Sequence, residues 1–181
     1  MSSPDSTIAS DYLTVVALGS NLPSSYGSSQ ATLYHAFDRL QLLVELPITR
    51  SSLWQTSPWE CAAGTPDFVN AVASLRLSSK IDPHAFLAAL LVIENEFGRQ
   101  RSAELGDSRS LDLDLICCGD QVIKTEQLTL PHPEAHLRRF VLKPLAEIEP
   151  DLRLPGQSLT VIELERGLSA QGISPIVNLT Y

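Results

Sequence analysis

Two carboxylates stand two residues apart in Leu111-Asp112-Leu113-Asp114-Leu115. Alternation of apolar and acidic residues has the period of a β-strand, so the aspartates share one face and the leucines the other. Their β-carbons then lie roughly 7 Å apart, which lets the pair share one hard divalent cation or serve two close ones. A solvated strand face would show the same alternation. What distinguishes this segment is the polar stretch before it, where Arg99, Arg101 and Arg109 fall within eleven residues. Arginine meets phosphate oxygens through a planar, forked donor. Acids that hold metal, beside arginines that neutralise phosphate, are the equipment of phosphoryl transfer. The expected chemistry is metal-assisted and acts on a small phosphorylated substrate.

Other residues have chemical potential of their own. His132 sits between two prolines in Leu130-Pro131-His132-Pro133, as a turn histidine or as a ligand. Asn70 lies near the start of an otherwise apolar strand, where a buried carboxamide needs partners and can read the polar edge of a ligand. Trp54, Trp59, Phe68 and Phe140 are explained most simply as core. Trp59, in a loop rich in proline, is the better candidate for stacking on a flat heterocycle.

These side chains need a scaffold, and hydrophobic periodicity outlines one. Leu13 to Leu18 reads as a buried strand stopped by Gly19-Ser20-Asn21. Ser28 to Val44 has helical spacing and ends before Pro47. Ile48 to Thr56 is a strand of mixed character, residues 57–66 form a loop, and Phe68 to Leu77 alternates with Val69, Ala71, Ala73 and Leu75 on one face. Asp82 and Pro83 start a helix as N-cap and first residue, and Gly98 closes it. Leu111 to Cys118 is the strand that carries the aspartates. A short edge strand follows at Gln121 to Ile123, then helices at Phe140 to Ile148 and Leu159 to Leu168, and a weak strand near Ile176 to Leu179. The core order β-α-β-β-α-β predicts an α+β, ferredoxin-like sandwich with two helices on one face of an antiparallel sheet and C-terminal additions. Residues 1–11 read as a disordered tail and residues 12–181 as one domain.

Composition narrows the function classes. With 181 residues, 44% hydrophobic and 19% charged, the chain has the make-up of a soluble globular protein with one ordinary core. A net charge of −8 argues against coating a nucleic-acid polymer, although a local basic cluster can still hold one compact phosphate ligand. Ten of the thirteen basic residues are arginine. Cys61, Cys117 and Cys118 form no C-x-x-C pair, and the neighbouring two should point to opposite faces of a strand and pack as small apolar groups in a reducing cytoplasm. No apolar run reaches membrane-spanning length.

From about Thr14 to Ile148 the motifs fall in the order of a known family. Ala17-Leu18-Gly19-Ser20-Asn21-Leu22 comes first, then Thr56-Ser57-Pro58 and Pro66-Asp67-Phe68-Val69-Asn70-Ala71. Glu94, Gly98-Arg99-Gln100-Arg101 and Arg109-Ser110-Leu111-Asp112-Leu113-Asp114 follow. Leu128-Thr129-Leu130-Pro131-His132-Pro133 and Arg138-Arg139-Phe140-Val141-Leu142-Lys143-Pro144-Leu145 complete the set. In this register the chain resembles the 6-hydroxymethyl-7,8-dihydropterin pyrophosphokinases of folate biosynthesis. The resemblance implies transfer of the β,γ-pyrophosphate of ATP to the pterin hydroxymethyl oxygen, with AMP as product. It implies two magnesium ions on Asp112 and Asp114, with Arg99 and Arg109 as the catalytic cations. It puts Glu94, Arg101, Leu115, Thr129, His132 and Arg138 on the nucleotide side. Thr56, Ser57, Pro58, Trp59, Phe68, Asn70, Asp112 and Phe140 fall on the pterin side, with Asn70 reading the pteridine edge and Phe140 stacking on its ring. The implied protein is a cytoplasmic monomer that binds ATP and a pterin, and neither membrane nor nucleic-acid polymer.

The departures cluster upstream of the aspartates. Between Arg101 and Arg109 the family usually carries further basic residues and a Trp-Gly-Pro run, whereas this chain reads Ser102-Ala103-Glu104-Leu105-Gly106-Asp107-Ser108. Leu91 replaces a residue that is often Gln, and Trp59-Glu60 stands where a smaller apolar residue and Gly are common. The rival reading is a diverged or non-enzymatic relative that keeps the fold and the metal face but binds another heterocycle.

Overall fold

The computed structural model describes residues 13–58, 64–77, 80–98, 109–168 and 171–176. The chain runs β1 (Leu13–Ser20), α1 (Ser29–Gln41), β2 (Thr49–Arg50), β3 (Trp54–Thr56), β4 (Phe68–Arg76), α2 (Pro83–Glu96) and β5 (Asp112–Cys118). Then come β6 (Ile123–Lys124), β7 (Thr129–Leu130), a 3-10 turn at Ala135–Leu137, α3 (Arg139–Ile148), α4 (Val161–Gly167) and β8 (Ile173–Pro175).

The main sheet is antiparallel in the order β5-β1-β4-β3-β8, with β2 also paired to β4. Its first four strands have the ferredoxin-like arrangement expected from the order of elements. β1 and β4 occupy the centre and are buried on both faces, which explains their nearly continuous apolar sequences. One face packs Val16, Leu18, Val69, Ala71, Ala73, Leu75, Leu113 and Leu115 against Phe37 and Leu40 of α1 and Leu90 and Ile93 of α2. Phe37 and Phe97 are fully buried there, each contributing about 1.5–3 kcal/mol of hydrophobic stabilisation.

The helix ends follow from local chemistry. Asp82 caps α2 by accepting from the His84 amide at 3.0 Å, with Pro83 in the first turn. Gly98 ends it at φ 81°, a left-handed conformation that suits glycine. At α4, Thr160 and Glu163 form a reciprocal capping box.

The expectation of helices on one face is incomplete. α3 and α4 cover part of the other face, where Val141, Leu142, Leu145 and Val161 pack on Val15, Ala17, Val72 and Ile116. The cysteines divide between the faces as expected, Cys117 on the α3 side and Cys118 on the α1 and α2 side. Both are buried free thiols, and burial pushes the Cys117 thiol up to about 12.

Two further strand expectations need correction. Ile48 to Thr56 is two short strands, because Ser51 inserts its own hydrogen bonds. Its amide donates to the Val72 carbonyl at 2.9 Å and its hydroxyl accepts the Val72 amide at 2.9 Å. The edge strand expected at Gln121 to Ile123 is Ile123–Lys124, and it pairs with Thr129–Leu130 in a separate two-stranded ribbon closed by Thr125. Among the described residues the last strand is Ile173–Pro175 on β3, ending just before the stretch expected as a strand near Ile176 to Leu179. The expected tail, residues 1–11, and residues 177–179 lie outside the described residues.

Candidate active site

Strand register gathers the polar side chains. Asp112 of β5 pairs with Gly19 of β1, Gly19 with Asn70 of β4, and Asn70 with Trp54 of β3. Residues opposite one another in antiparallel strands point to the same face. That face is the α3 side, since the next rung on it, Asp114-Ala17-Val72, leads into the apolar contacts of α3. The rung from Asp112 to Trp54 runs beside these contacts, and its Trp54 end meets α3 where the indole Nε1 donates to Glu147 at 3.0 Å.

Gly19 is needed at the centre of this rung. A β-carbon there would lie 3.2 Å from Asn70 Oδ1, a tight approach. The Asn70 carboxamide is held from the other side, donating to Thr56 Oγ1 at 2.7 Å, and both residues are buried. Phe68, paired with Thr56, is half-buried at the start of β4. Exposed Ser57 and half-buried Pro58 continue from β3.

Arg109 is fixed by its backbone before its side chain is considered. Its amide donates to Asn21 Oδ1 at 2.7 Å, and its carbonyl accepts the Asn21 and Leu22 amides, both at 3.1 Å. The Asn21 carboxamide also reaches the Pro66 carbonyl at 3.4 Å. One asparagine therefore joins the exit of β1, the segment before β4 and the approach to β5. So tethered, the Arg109 guanidinium donates to Asp112 Oδ2 at 2.6 Å. Burial pulls the Arg109 pKa down, but the charge and hydrogen bond of Asp112, with the charges of Asp114 and Glu94, outweigh it and leave the group more firmly protonated than usual.

The second aspartate faces another cation. Arg138 lies 3.7 Å from Asp114 Oδ2, hydrogen-bonds Glu134, and stands over the Phe140 ring with its guanidinium carbon 5.7 Å from the centroid. His132 is tied to the same strand, its amide donating to the Ile116 carbonyl at 2.8 Å just after the cis Leu130-Pro131 bond. Burial, then the charge of Arg138, lowers the His132 pKa against the pull of Glu134 and Asp112. Its Nδ1 accepts the Glu134 amide at 3.2 Å, so the neutral ring carries its proton on Nε2. Thr129 is exposed on β7.

Two residues expected on the nucleotide side have buried side chains. Glu94 is 1% exposed and accepts the Leu113 amide at 2.8 Å, so it supports β5 between the two aspartates rather than standing open to a ligand. Leu115 is buried in the core on the opposite face from the aspartates, as the two-residue period requires. Arg99, Arg101, Trp59 and residues 102–108 lie outside the described residues. In the sequence Gly19 and Asn21 stand as turn residues within the first family motif, without a role of their own, and the parts they play here come from neighbours distant in sequence.

The donor set suits one kind of metal. No group of three or more His, Cys, Asp and Glu able to hold a metal occurs among the described residues. A cation on Asp112 and Asp114 would take its remaining ligands from phosphate oxygens and water, which is how magnesium is commonly held.

Residues 15–150 match the family model described as 7,8-dihydro-6-hydroxymethylpterin-pyrophosphokinase (HPPK). A Synechocystis 2-amino-4-hydroxy-6-hydroxymethyldihydropteridine pyrophosphokinase is 38% identical over 162 residues, 90% of this chain and 79% of the relative. The Pseudomonas aeruginosa protein of the same name is 43% identical over 144 residues, 77% of this chain and 82% of the relative. Among solved structures, wild-type Plasmodium falciparum HPPK-DHPS with pteroate aligns over 88% of this chain at a TM-score of 0.68 and 13% identity, a likeness of fold. This chain spans 44% of that longer one.

Proposed function

The chain belongs to the 7,8-dihydro-6-hydroxymethylpterin-pyrophosphokinase family, and on that premise we propose how its own residues divide the work. It transfers the β,γ-pyrophosphate of ATP to the hydroxymethyl group of 6-hydroxymethyl-7,8-dihydropterin, giving AMP and the pterin diphosphate for folate biosynthesis. The hydroxymethyl oxygen attacks the β-phosphorus, the bond to the bridging oxygen of the α-phosphate breaks, and the hydroxyl proton is lost. Such a transfer depends chiefly on alignment and on neutralising phosphate charge.

The observation that carries the assignment of roles is the single rung from Asp112 across Gly19 to Asn70. It sets a carboxylate with an arginine partner beside a carboxamide suited to the edge of a pteridine. Asp112 and Asp114 would hold two magnesium ions, which supply charge neutralisation to the phosphate oxygens. Arg109, with Arg99, steadies charge on the migrating pyrophosphoryl group. Arg138, His132, Thr129 and Arg101 serve the nucleotide, with His132 Nε2–H as a neutral donor. Asn70, oriented by Thr56, reads the pteridine edge, and Phe140 and Phe68 flank its ring beside Ser57, Pro58 and Trp59. The two buried free cysteines suit a reducing cytoplasm, and we take the working unit to be a monomer.

Asp114→Ala tests the division. Turnover should be abolished while affinity for the pterin alone, measured by calorimetry, stays within about twofold, since Asn70 and Phe140 keep their supports. A parallel loss of pterin affinity and of thermal stability would make Asp114 a structural residue and refute the assignment.

A further inference from the structure

The segment beyond residue 150, outside the span matched by the family model, reaches back to the site through one side chain. Gln171 lies after α4 and just before β8. Its Oε1 accepts the Arg139 amide at 2.8 Å and its Nε2 donates to the Leu137 carbonyl at 2.9 Å. An amide N–H can only donate and a carbonyl can only accept, so these partners fix which way round the carboxamide sits. The two groups it holds flank Arg138. Gln171 therefore pairs with this stretch of backbone as a neighbouring strand would, and Arg138 is extended, at φ −105° and ψ 102°.

Gln171 is itself anchored. The Arg139 guanidinium donates to the Gln171 carbonyl at 2.7 Å and through Nε to Glu165 at 3.0 Å. Glu165 is buried on α4 and also lies 3.9 Å from Lys143 of α3. The consecutive arginines have thus separated. Arg139 binds the C-terminal segment, and Arg138 is presented to Asp114 and the Phe140 ring.

We propose that Gln171 is a positioning residue for the nucleotide: by bracketing the backbone on both sides of Arg138, it sets the direction of that guanidinium toward the Asp114 end of the site. The inference rests on the reading of Arg138 as a nucleotide contact given above. Phe140 lies within α3 and has helical support of its own, so the pterin side is largely indifferent to Gln171.

The test is calorimetric binding of α,β-methylene-ATP with Mg²⁺ to the wild-type protein, Gln171→Ala, Arg138→Ala and the double variant. Arg138→Ala should weaken binding by about tenfold or more, the scale of a hydrogen bond to a charged group, and Gln171→Ala by about three- to tenfold, the scale of a neutral one. The double variant should bind no more weakly than Arg138→Ala, and pterin affinity should stay within about twofold throughout. Gln171→Glu, which can accept from Arg139 but cannot donate to Leu137 when ionised, should fall between wild type and Gln171→Ala. It carries the same comparison should Gln171→Ala not fold. Equal loss from the Gln171 variant in wild-type and Arg138→Ala backgrounds would make Gln171 a general support and overturn the proposal. So would wild-type binding by the Gln171 variants while Arg138→Ala is impaired. Undiminished binding by Arg138→Ala would place the failure in the reading of Arg138, and the role of Gln171 would fall with it.

Discussion

Replacing Arg109 by alanine separates catalysis from folding, because the backbone and the side chain of this residue do different things. The three hydrogen bonds that join Arg109 to Asn21 and Leu22 involve only its main chain, and alanine keeps them. The guanidinium makes its ion pair with Asp112 at side-chain exposures of 28% and 22%. A pair so accessible to water contributes about 1 kcal/mol to stability. For a domain of this size that is a fall of about 2–4 °C in melting temperature. The catalytic loss should be far larger. In the proposed role the guanidinium offers the migrating group one or two charge-assisted hydrogen bonds of about 1.5–3 kcal/mol each, and its removal takes a positive charge away from the phosphates. Together these come to about 3–5 kcal/mol, or roughly a 10²- to 10⁴-fold loss in rate. Arg109→Lys keeps the charge but not the fork and should fall between, at about 10- to 100-fold. AMP release at saturating substrates, beside a thermal melt, measures both quantities. A loss below tenfold would refute the role of Arg109 in stabilising the transferred group. A melting temperature lowered by more than about 10 °C would show that the side chain is structural.

The pterin side and the histidine have their own tests. Asn70→Ala should weaken pterin affinity by about 10- to 100-fold, as expected when a buried donor–acceptor group is removed from a ligand edge, and leave nucleotide affinity unchanged. Unaltered pterin titrations would contradict it. Gly19→Ala, whose new β-carbon meets Asn70 Oδ1 at 3.2 Å, should displace the carboxamide and raise the pterin dissociation constant several-fold with little change in melting temperature. A variant that binds pterin normally would show that this close approach is dispensable. The His132 pKa is depressed in the fold, so below about pH 6.5 the unfolded chain takes up the proton first. Its stabilising contribution is present above that pH and is lost as pH falls through the folded value. The drop in melting temperature between pH 7.5 and 5.5 should be smaller in His132→Gln than in wild type, and an identical drop would contradict the assignment.

Much of the site could be read from local pattern, because local pattern is what places it. The two-residue period put Asp112 and Asp114 on one strand face and Leu113 and Leu115 on the other. Asp82-Pro83 and Gly98 marked the ends of α2 because capping depends on adjacent residues. What was hidden depends on neighbours distant in sequence. Asn21 and Arg109 meet across 88 positions, and Gln171 and Leu137 across 34. The support Glu94 gives to β5 was hidden in the same way, because the Leu113 amide it satisfies lies 19 positions away. Ser51 splits a strand through hydrogen bonds that its residue type does not announce.

The most direct test of the central claim is the identity of the nucleotide product. Incubated with Mg²⁺, ATP and 6-hydroxymethyl-7,8-dihydropterin, the protein should release one AMP for each pterin diphosphate formed, as resolved by anion-exchange chromatography, with no ADP. ADP with a pterin monophosphate would mean that a single phosphoryl group is transferred. Absence of AMP, with the pterin still bound, would contradict the account of Asp112, Asp114 and Arg109 as a pyrophosphoryl-transfer site.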